Sequence, residues 1–396
     1  MFRLVPTFFA VALTCTSLQA DPITYWDETR TGANSFNEYP TERWFQDASE
    51  AGLGWIRLAY DKWDSAHRDF LIGNADNYEG LIAEDLALLR QALDWADAHD
   101  LKVVLAPLSL PGGRYRQFNG NQYDSRIWRD KAYWGQAAAF WRDMAGALKD
   151  HPAVVGYNIL NEPAPELGTN LAEHDTLGDV SRFSAWFGAH KGTAADLYTF
   201  YGQVISAIRE VDPEVPIMVD AGWYAQPAAF TYWPGPLADD HVLYAFHMYE
   251  PYDYTSQFNF KEGRNLSYPG VVPFAGQATD WNQDMMRTYL QPFFDWADTH
   301  GIPEDRIVAG EFGCYRRNDG CVRYLSDVLD LLEENSVHWA FYAFREDWDG
   351  YDFELGNGNL PRGYWTMVEE GRNDDIKRNP DTEMFQTLKA RLAPVN

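Results

Sequence analysis

Two glutamates stand at the ends of apolar runs of sequence, where a carboxyl group can acquire unusual chemistry. Glu162 follows the run Val154–Leu160 with only Asn161 between them, and Glu311 lies near the end of the run Ile307–Gly313. Runs of this length and composition predict buried strands. A carboxyl at the end of such a strand is poorly solvated, which raises its pKa toward the range that a general acid needs near neutral pH. The pair therefore predicts acid–base or nucleophilic chemistry.

Either glutamate alone has a plainer interpretation. The chain contains 59 acidic residues, most of which must lie on a solvated surface. An isolated glutamate is more often a helix cap or an ion-pair partner. Two glutamates at two strand ends favour a functional site.

Eight short β-rich runs alternate with amphipathic helical segments, the pattern of parallel α/β architecture. The predicted strands are Gly32–Asn34, Trp55–Tyr60, Lys102–Pro107, Val154–Leu160, Pro216–Ala221, Val242–Tyr249, Ile307–Gly313 and His338–Phe344. The predicted helices are Thr41–Ala51, Leu81–His99, Lys131–Lys149, Ala194–Val211, Asp284–Thr299, Val322–Glu334 and Thr382–Leu392.

The fold that this order predicts is a (β/α)₈ TIM barrel, with residues 21–396 as a single domain. An open doubly wound sheet is the alternative, but no Gly-x-Gly-x-x-Gly follows the first strand. Suggestive polar residues also follow many different strands, and a barrel collects those ends on one rim. Long segments at 164–193 and 250–282 are predicted as loops that wall a cleft above the rim.

The first 20 residues are typical of a secretory signal peptide. Arg3 precedes a short apolar run, and small residues precede the acidic Asp21. The apolar run is too short for a membrane anchor, and a lipoprotein interpretation through Cys15 is the other alternative. We expect a secreted protein, extracellular or periplasmic.

Removal of the signal leaves two cysteines, Cys314 and Cys321. An even pair close in sequence in an exported protein predicts a disulfide, and two free thiols are the alternative. The formal net charge is −27 at pH 7, which disfavours nucleic acid and anionic lipid as partners and suits a neutral substrate. The acidic segment 347–352 lacks the spacing of a calcium loop. We expect no cofactor, no metal site, no membrane partner and a monomer.

The motifs also resemble glycoside hydrolase family 5 over nearly all of the chain after the signal. The matches are Asn161-Glu162-Pro163 after strand four, Gly310-Glu311-Phe312 on strand seven, Arg57 on strand two and His247-Met248-Tyr249 on strand six. Four matches in the right order at barrel-unit spacing make this resemblance specific.

The resemblance implies a retaining mechanism by double displacement. Glu311 would be the nucleophile and Glu162 the acid/base. Arg57 would keep Glu311 ionised, Tyr249 would donate a hydrogen bond to it, and Asn161 would bind the sugar 2-hydroxyl. His247 would support the site, although a lone histidine on an apolar strand is often only a core residue.

Two positions depart from the family pattern. Ser109 stands after strand three where members commonly have histidine. The aromatic platform after strand eight, commonly tryptophan, would be Tyr342, with Trp339 as the competing candidate. Tyrosine can still stack against a sugar face.

The sequence therefore predicts a secreted retaining hydrolase of a neutral β-linked polysaccharide or oligosaccharide. A β-1,4-glucanase of cellulase type is the first expectation. A β-mannanase, an exo-β-glucosidase or an exo-β-mannosidase is the alternative, and a glycan-binding barrel is the alternative without catalysis. A metal-dependent hydrolase would need a cluster of histidine and aspartate ligands on several strand ends, and only His247 is well placed for one.

Overall fold

The computed structural model describes residues 22–171, 180–346, 349–355 and 378–392. The predicted signal peptide at 1–20 therefore lies outside the described residues. Eight parallel strands form a barrel: β1 Thr31–Ser35, β2 Trp55–Leu58, β3 Lys102–Leu105, β4 Val154–Asn158, β5 Ile217–Asp220, β6 Val242–Met248, β9 Ile307–Phe312 and β10 His338–Phe341. They close in the order β1-β10-β9-β6-β5-β4-β3-β2. The predicted (β/α)₈ barrel is confirmed, and each of its eight strands lies within the predicted range except β1, which extends one residue further at each end.

Helices connect the strands around the outside of the barrel. The longer ones are α1 Glu42–Glu50, α2 Ala83–Ala98, α3 Ala132–Leu148, α4 Val180–His190, α5 Leu197–Arg209, α6 Gln283–His300, α7 Cys321–Glu334 and α8 Glu383–Lys389. Local sequence explains several of their ends. Thr41 caps α1 by accepting from the Trp44 amide, and Asn282 caps α6 by accepting from the Met285 amide. Gly301 ends α6 in the left-handed conformation at φ 66°.

The two segments predicted as long loops contain regular structure. The first includes α4, and the second includes an antiparallel hairpin of β7 (Gly270–Phe274) and β8 (Gln277–Trp281). Most hairpin side chains are exposed or half-buried, so its sequence has little of the apolar alternation that predicts a strand. Both segments nevertheless follow the carboxyl ends of barrel strands.

Two apolar clusters hold the barrel together. The larger lies between the strands and the surrounding helices, and the smaller fills the barrel interior with residues such as Val104, Met218 and Val308. Trp26, on a short 3₁₀ helix at Pro22–Asp27, joins the interior cluster. Its indole donates to the Val155 carbonyl at 3.0 Å. The chain thus closes the amino-terminal end of its own barrel and leaves the opposite rim for the site.

One glycine in the barrel is required by close packing. A Cβ on Gly32 would lie 2.2 Å from the carbonyl oxygen of Trp55 in the neighbouring strand. No helix in the described ranges has the length and hydropathy to cross a bilayer.

Candidate active site

The two predicted glutamates meet across one cavity at the carboxyl ends of the strands. Glu162 follows β4 and Glu311 lies in β9. One carboxylate oxygen of each lies within 4.8 Å of the other. Both line a cavity of about 540 Å³, which we call the first cavity. Sequence predicted that barrel closure would bring these groups together, and the structure does so.

Arg57 on β2 donates hydrogen bonds to several polar side chains beneath this cavity. Its guanidinium is 2% exposed and donates to Glu311 Oε1 at 2.6 Å. It also donates to Asn161 Oδ1 at 2.7 Å and to Asn158 Oδ1 at 2.5 Å. A further bond at 3.1 Å runs to Asn34 Oδ1. Such a fork of fixed donors orients Glu311 and Asn161 relative to each other.

Glu311 is held from two sides. Opposite Arg57, the Tyr249 hydroxyl donates to Glu311 Oε2 at 2.8 Å. Burial raises the pKa of Glu311, while the charges of His247 and Arg57 and the Tyr249 hydrogen bond oppose that rise. Burial, with the nearby Glu311 charge, also raises the pKa of Tyr249 well above its usual value, so the phenol remains a neutral donor.

Glu162 is held in a strained backbone conformation. Its φ is 49°, a left-handed value that costs a residue with a side chain about 1–2 kcal/mol. The Glu162 amide donates to Asp220 Oδ2 at 3.1 Å, which fixes this conformation. Asp220 lies at the end of β5, and its Oδ1 also accepts from the side-chain Nδ2 of Asn158 at 3.0 Å. Strain of this kind is common where a side chain is positioned for function.

His247 contacts the carboxyl of Glu162. Its Nδ1 lies 2.9 Å from Glu162 Oε1 and 3.9 Å from Glu311 Oε2. Burial lowers the pKa of His247, while the nearby charges of Glu311 and Asp220 oppose this fall. The structure therefore places His247 within the site rather than in the barrel core.

The structure separates the two candidates for the aromatic platform. Tyr342 lines the first cavity, and its hydroxyl donates to Glu346 Oε1 at 2.5 Å. Trp339 is 1% exposed and packs against Phe312 with ring centroids 5.8 Å apart. Of the two, Tyr342 is the one that a ligand in this cavity can contact.

Ser109 is not among the residues that line the first cavity. It is 4% exposed, its amide donates to Asp61 Oδ1 at 2.8 Å, and its Oγ accepts from the Tyr115 amide at 3.0 Å. Asp61 also accepts from the Leu108 amide at 2.9 Å. Burial raises the pKa of Asp61 to about 6. These bonds fold the loop after β3 so that Tyr115 lines the first cavity.

A second cavity of about 680 Å³ adjoins the first. Glu162, Tyr115 and Tyr249 line both cavities, whereas Glu311 lines the first. Part of the wall of the second cavity is the turn Gly222–Ala225, which follows β5.

This turn is left-handed at three successive residues. Trp223, Tyr224 and Ala225 have φ values of 47°, 60° and 62°. Glu166 stabilises the turn, since its Oε2 accepts from the Trp223 amide at 3.0 Å. A Cβ on Gly222 would lie 2.1 Å from Glu166 Oε1, so this approach requires glycine. Burial raises the pKa of Glu166 to about 7.

The predicted disulfide is present beside the site. Cys314 and Cys321 are bonded, with Cα atoms 5.9 Å apart. Cys314 follows β9, which carries Glu311, and Cys321 begins α7. The bond ties the loop after the Glu311 strand to the next helix.

The site also has the spacing of a metal centre. Glu162, His247 and Glu311 each offer a ligand atom, all within 4.8 Å of one another. A divalent cation there would meet the positive charge of Arg57, which already bonds Glu311. The expectation of a mechanism without metal stays a prediction.

Sequence reasoning missed several residues of the site. Asn34, Asn158 and Asp220 are buried polar side chains on barrel strands, and their signal is a polar residue within an apolar strand run. Tyr115 and Lys62 had no such signal, because loops carry them to the first cavity.

Comparison with known proteins agrees with this geometry. Residues 19–347 match the family model described as cellulase (glycosyl hydrolase family 5). The chain is 22% identical to Endoglucanase C of Acetivibrio thermocellus over 346 residues, covering 81% of this chain and 88% of that protein.

Three solved structures show the same fold. A crystal structure of a glycoside hydrolase aligns with a TM-score of 0.64 and 17% identity, covering 92% of this chain and 100% of that one. Thermotoga maritima Cel5A in complex with cellobiose aligns with a TM-score of 0.62 and 17% identity, covering 93% and 99%. The same protein in complex with mannotriose aligns with a TM-score of 0.62 and 15% identity, covering 93% and 100%. Since the family model matches most of its length, this chain belongs to glycosyl hydrolase family 5.

Proposed function

We propose that this chain is a secreted retaining hydrolase of neutral β-linked glycans, with β-1,4-glucan as the first substrate class. The observation that carries the proposal is the approach of Glu162 and Glu311 within 4.8 Å across a cavity. Retaining glycosidases hold their two carboxyl groups about 5–5.5 Å apart, whereas inverting ones leave room for a water at about 6.5–9.5 Å. The spacing supports direct attack by one carboxyl.

In this mechanism Glu311 is the nucleophile. Arg57 and Tyr249 fix its two oxygens, so the carboxylate is oriented before the sugar arrives. Glu311 attacks the anomeric carbon while Glu162 gives its proton to the departing oxygen. The product of this step is a glycosyl ester on Glu311. The part of the substrate whose oxygen was protonated leaves as an alcohol or a shorter sugar.

The second step reverses the role of Glu162. Esterification removes the negative charge of Glu311, and Glu162 then takes a proton from water. The water oxygen attacks the anomeric carbon, the bond from that carbon to Glu311 breaks, and Glu311 leaves as a carboxylate. The sugar is released with its original configuration. Asn161 directs its carbonyl to Arg57, which turns its amide protons toward the sugar 2-hydroxyl, a contact that strengthens in the transition state.

The substrate class is supported by the comparisons. The similarity to Endoglucanase C favours a β-glucan. The Thermotoga maritima enzyme in complex with mannotriose favours a β-mannan as the second candidate. Secretion is supported by the signal-like first 20 residues. Amino-terminal sequencing of the protein recovered from the periplasm or the culture medium tests it, and we expect the exported protein to begin at Asp21.

A substrate panel tests the proposal. Purified protein is incubated with cellulose, barley β-glucan, mannan and xylan, and product sizes are measured. We expect oligosaccharides from β-glucan, and NMR should show the β-anomer of the product forming first. Initial formation of the α-anomer would exclude retention. Binding without hydrolysis would favour the glycan-binding alternative.

A further inference from the structure

We infer that the second cavity is a site for a bulky apolar aglycone, so that the enzyme cleaves amphiphilic β-glycosides between their sugar and their apolar group. This inference rests on the proposed function and adds a leaving-group class to it. Its first support is position. The nucleophile Glu311 lines the first cavity, where the sugar that becomes covalently bound must lie. Glu162 lines both cavities, and a general acid stands beside the leaving-group oxygen. The departing group therefore extends into the second cavity.

The two cavities differ in chemistry. The first is lined by groups that suit sugar hydroxyls, among them Asn34, Glu38, Lys62, Gln117, Gln257 and Glu346. The second is lined mainly by aromatic and aliphatic side chains. Among them are Ile127, Trp128, Leu160, Leu167, Trp223 and Tyr289.

The charged groups of the second cavity are largely engaged by the protein. Arg114 donates to Asp69 at 2.6 and 2.8 Å, and Asp124 accepts from Arg126 at 2.7 and 2.8 Å. Glu250 accepts from the Tyr252 amide at 2.8 Å. Hydroxyl groups buried beside apolar side chains lose their water without a replacement, which is costly. An apolar group has no hydrogen bonds to lose there, and its transfer out of water is favourable.

The mouth of this cavity carries exposed aromatic rings. Tyr123, Tyr252 and Phe258 line it and are 40%, 40% and 42% exposed. The Tyr123 hydroxyl donates to the Ala164 carbonyl at 2.7 Å, so its polar end is turned into the protein. Exposed aromatic groups gathered at one opening are typical of a surface that receives apolar material. An aglycone longer than the cavity would continue over these rings.

The test uses glycosides that share one sugar and differ only in their leaving group. The sugar is the one that the substrate panel identifies, cellobiose in the first instance. Methyl, butyl, hexyl and octyl β-glycosides are compared below their micelle concentrations. Their alcohols have almost the same acidity, so the length of the chain changes burial and little else. Full burial of one methylene in the transition state should raise kcat/KM by roughly a factor of 4. We expect kcat/KM to rise at least about 30-fold from the methyl to the octyl glycoside.

A second arm distinguishes aromatic from aliphatic sources. Phenyl and 2-naphthyl β-glycosides are compared, since their leaving groups also have similar acidity. A rise in the alkyl series alone indicates a lipid-like aglycone, and a rise in the aryl pair alone indicates an aromatic one. Equal kcat/KM values throughout both series would overturn the inference. Faster release of glucose from cellotriose than of octanol from octyl cellobioside would also overturn it.

Matched variants locate the effect. Phe258→Ser should lower the octyl-to-methyl ratio of kcat/KM at least about 5-fold. Phe260→Ser is the control, because Phe260 lies on the same short helix, is 47% exposed and packs against Tyr315 instead. Leu167→Asn provides a second test from another loop if Phe258→Ser lowers the melting temperature.

An unchanged octyl-to-methyl ratio of kcat/KM in folded Phe258→Ser and Leu167→Asn would contradict the inference. A folded enzyme that cleaves no glycoside at all would contradict the proposed function, whereas cleavage without dependence on the leaving group would contradict only the inference.

Discussion

Glu311 is surrounded by groups that shift its pKa in opposite directions. Burial raises the pKa, and the Arg57 and His247 charges together with the Tyr249 hydrogen bond oppose the rise. Glu162 adds a like charge that raises it further. A nucleophile that is both buried and ionised depends on this balance, so single changes among these residues should have distinct kinetic signatures.

Replacement of Glu311 should abolish turnover and leave a site that a small anion can enter. We expect Glu311→Ala to lose at least about 10⁴-fold in kcat, because covalent catalysis is removed. Azide should restore part of the rate on an activated aryl β-glycoside, giving a glycosyl azide of inverted configuration. NMR of that product checks the assignment. Rescue with a product of retained configuration would contradict it.

Replacement of Glu162 should depend on the leaving group. Glu162→Ala should lose about 10²–10⁴-fold on unactivated glycans, since protonation is lost. Loss of the first step should be small for a leaving group that needs no proton, such as 2,4-dinitrophenol. Pre-steady-state release of the phenol measures that step. Equal losses on both substrate types would exclude the acid/base role.

Arg57 should control the acidic limb of the pH profile. Arg57→Gln removes a positive charge that lowers the pKa of Glu311, so that pKa should rise further. Because the attacking form is ionised, activity is lost as pH falls through this pKa, and the acidic limb of kcat/KM should move to higher pH by about one unit. Arg43→Gln is the control, as the Arg43 side chain is 74% exposed on α1. If Arg57→Gln lowers kcat/KM but leaves the acidic limb of the pH profile at the same pH, Arg57 has only a structural role.

At the scale of elements, the loops after the strands are shaped by buried carboxyls that bond backbone amides. Asp61 accepts from two amides of the loop after β3, and Glu166 accepts from the left-handed turn after β5. Burial raises the pKa of each, to about 6 and about 7. Both loops thereby reach the cavities with a fixed backbone, and the ionised carboxyls make this arrangement sensitive to pH.

Glu166→Gln should become more stabilising as pH rises. The pKa of Glu166 is about 7 in the folded protein, against its usual value of 4.5. Ionisation is therefore disfavoured by folding, and the contribution of this group to stability decreases between about pH 4.5 and 7. Glutamine resembles the protonated form, so we expect similar stability at pH 4.5 and a gain of up to about 3 kcal/mol at pH 8.

Urea unfolding at both pH values measures this difference. Glu214→Gln is the control because Glu214 is exposed. A difference between Glu166→Gln and the parent protein that is the same at both pH values would contradict a buried ionisation.

At the scale of the whole molecule, the barrel has one functional end and one closed end. The short helix Pro22–Asp27 covers the closed end, and Trp26 lies against Trp55 and His338 with ring centroids 5.2 and 5.1 Å apart. A defect at the closed end should therefore lower the stability of the barrel and leave the groups at the opposite rim in place.

Trp26→Ala should destabilise the fold by about 3–5 kcal/mol, because a fully buried indole is removed from the barrel interior. Below the melting temperature, kcat should stay near the parent value, since Trp26 lies at the opposite end from Glu162. Thermal unfolding and activity at low temperature measure the two effects. Tyr39→Ala, at a residue 44% exposed, should change neither. A large loss of kcat in folded Trp26→Ala would contradict the separation of the two ends.

The sequence by itself determined the barrel, its eight strands and the two central glutamates. These features are local, because an apolar run predicts a buried strand and the next polar residue must lie at its end. It also determined the disulfide pair, which is close along the chain. Arg57, His247 and Tyr249 were found through the resemblance of short motifs.

Only the tertiary structure decided the rest of the site. The choice of Tyr342 over Trp339, the burial of Ser109 and the presence of Tyr115 at the cavity depend on how loops pack against one another. The hydrogen bonds of Asp220 to the Glu162 amide and of Glu166 to the Trp223 amide cross 58 and 57 residues of sequence. Loop conformation is set by such distant contacts and by buried backbone groups that need partners, and neither leaves a periodic pattern along the chain.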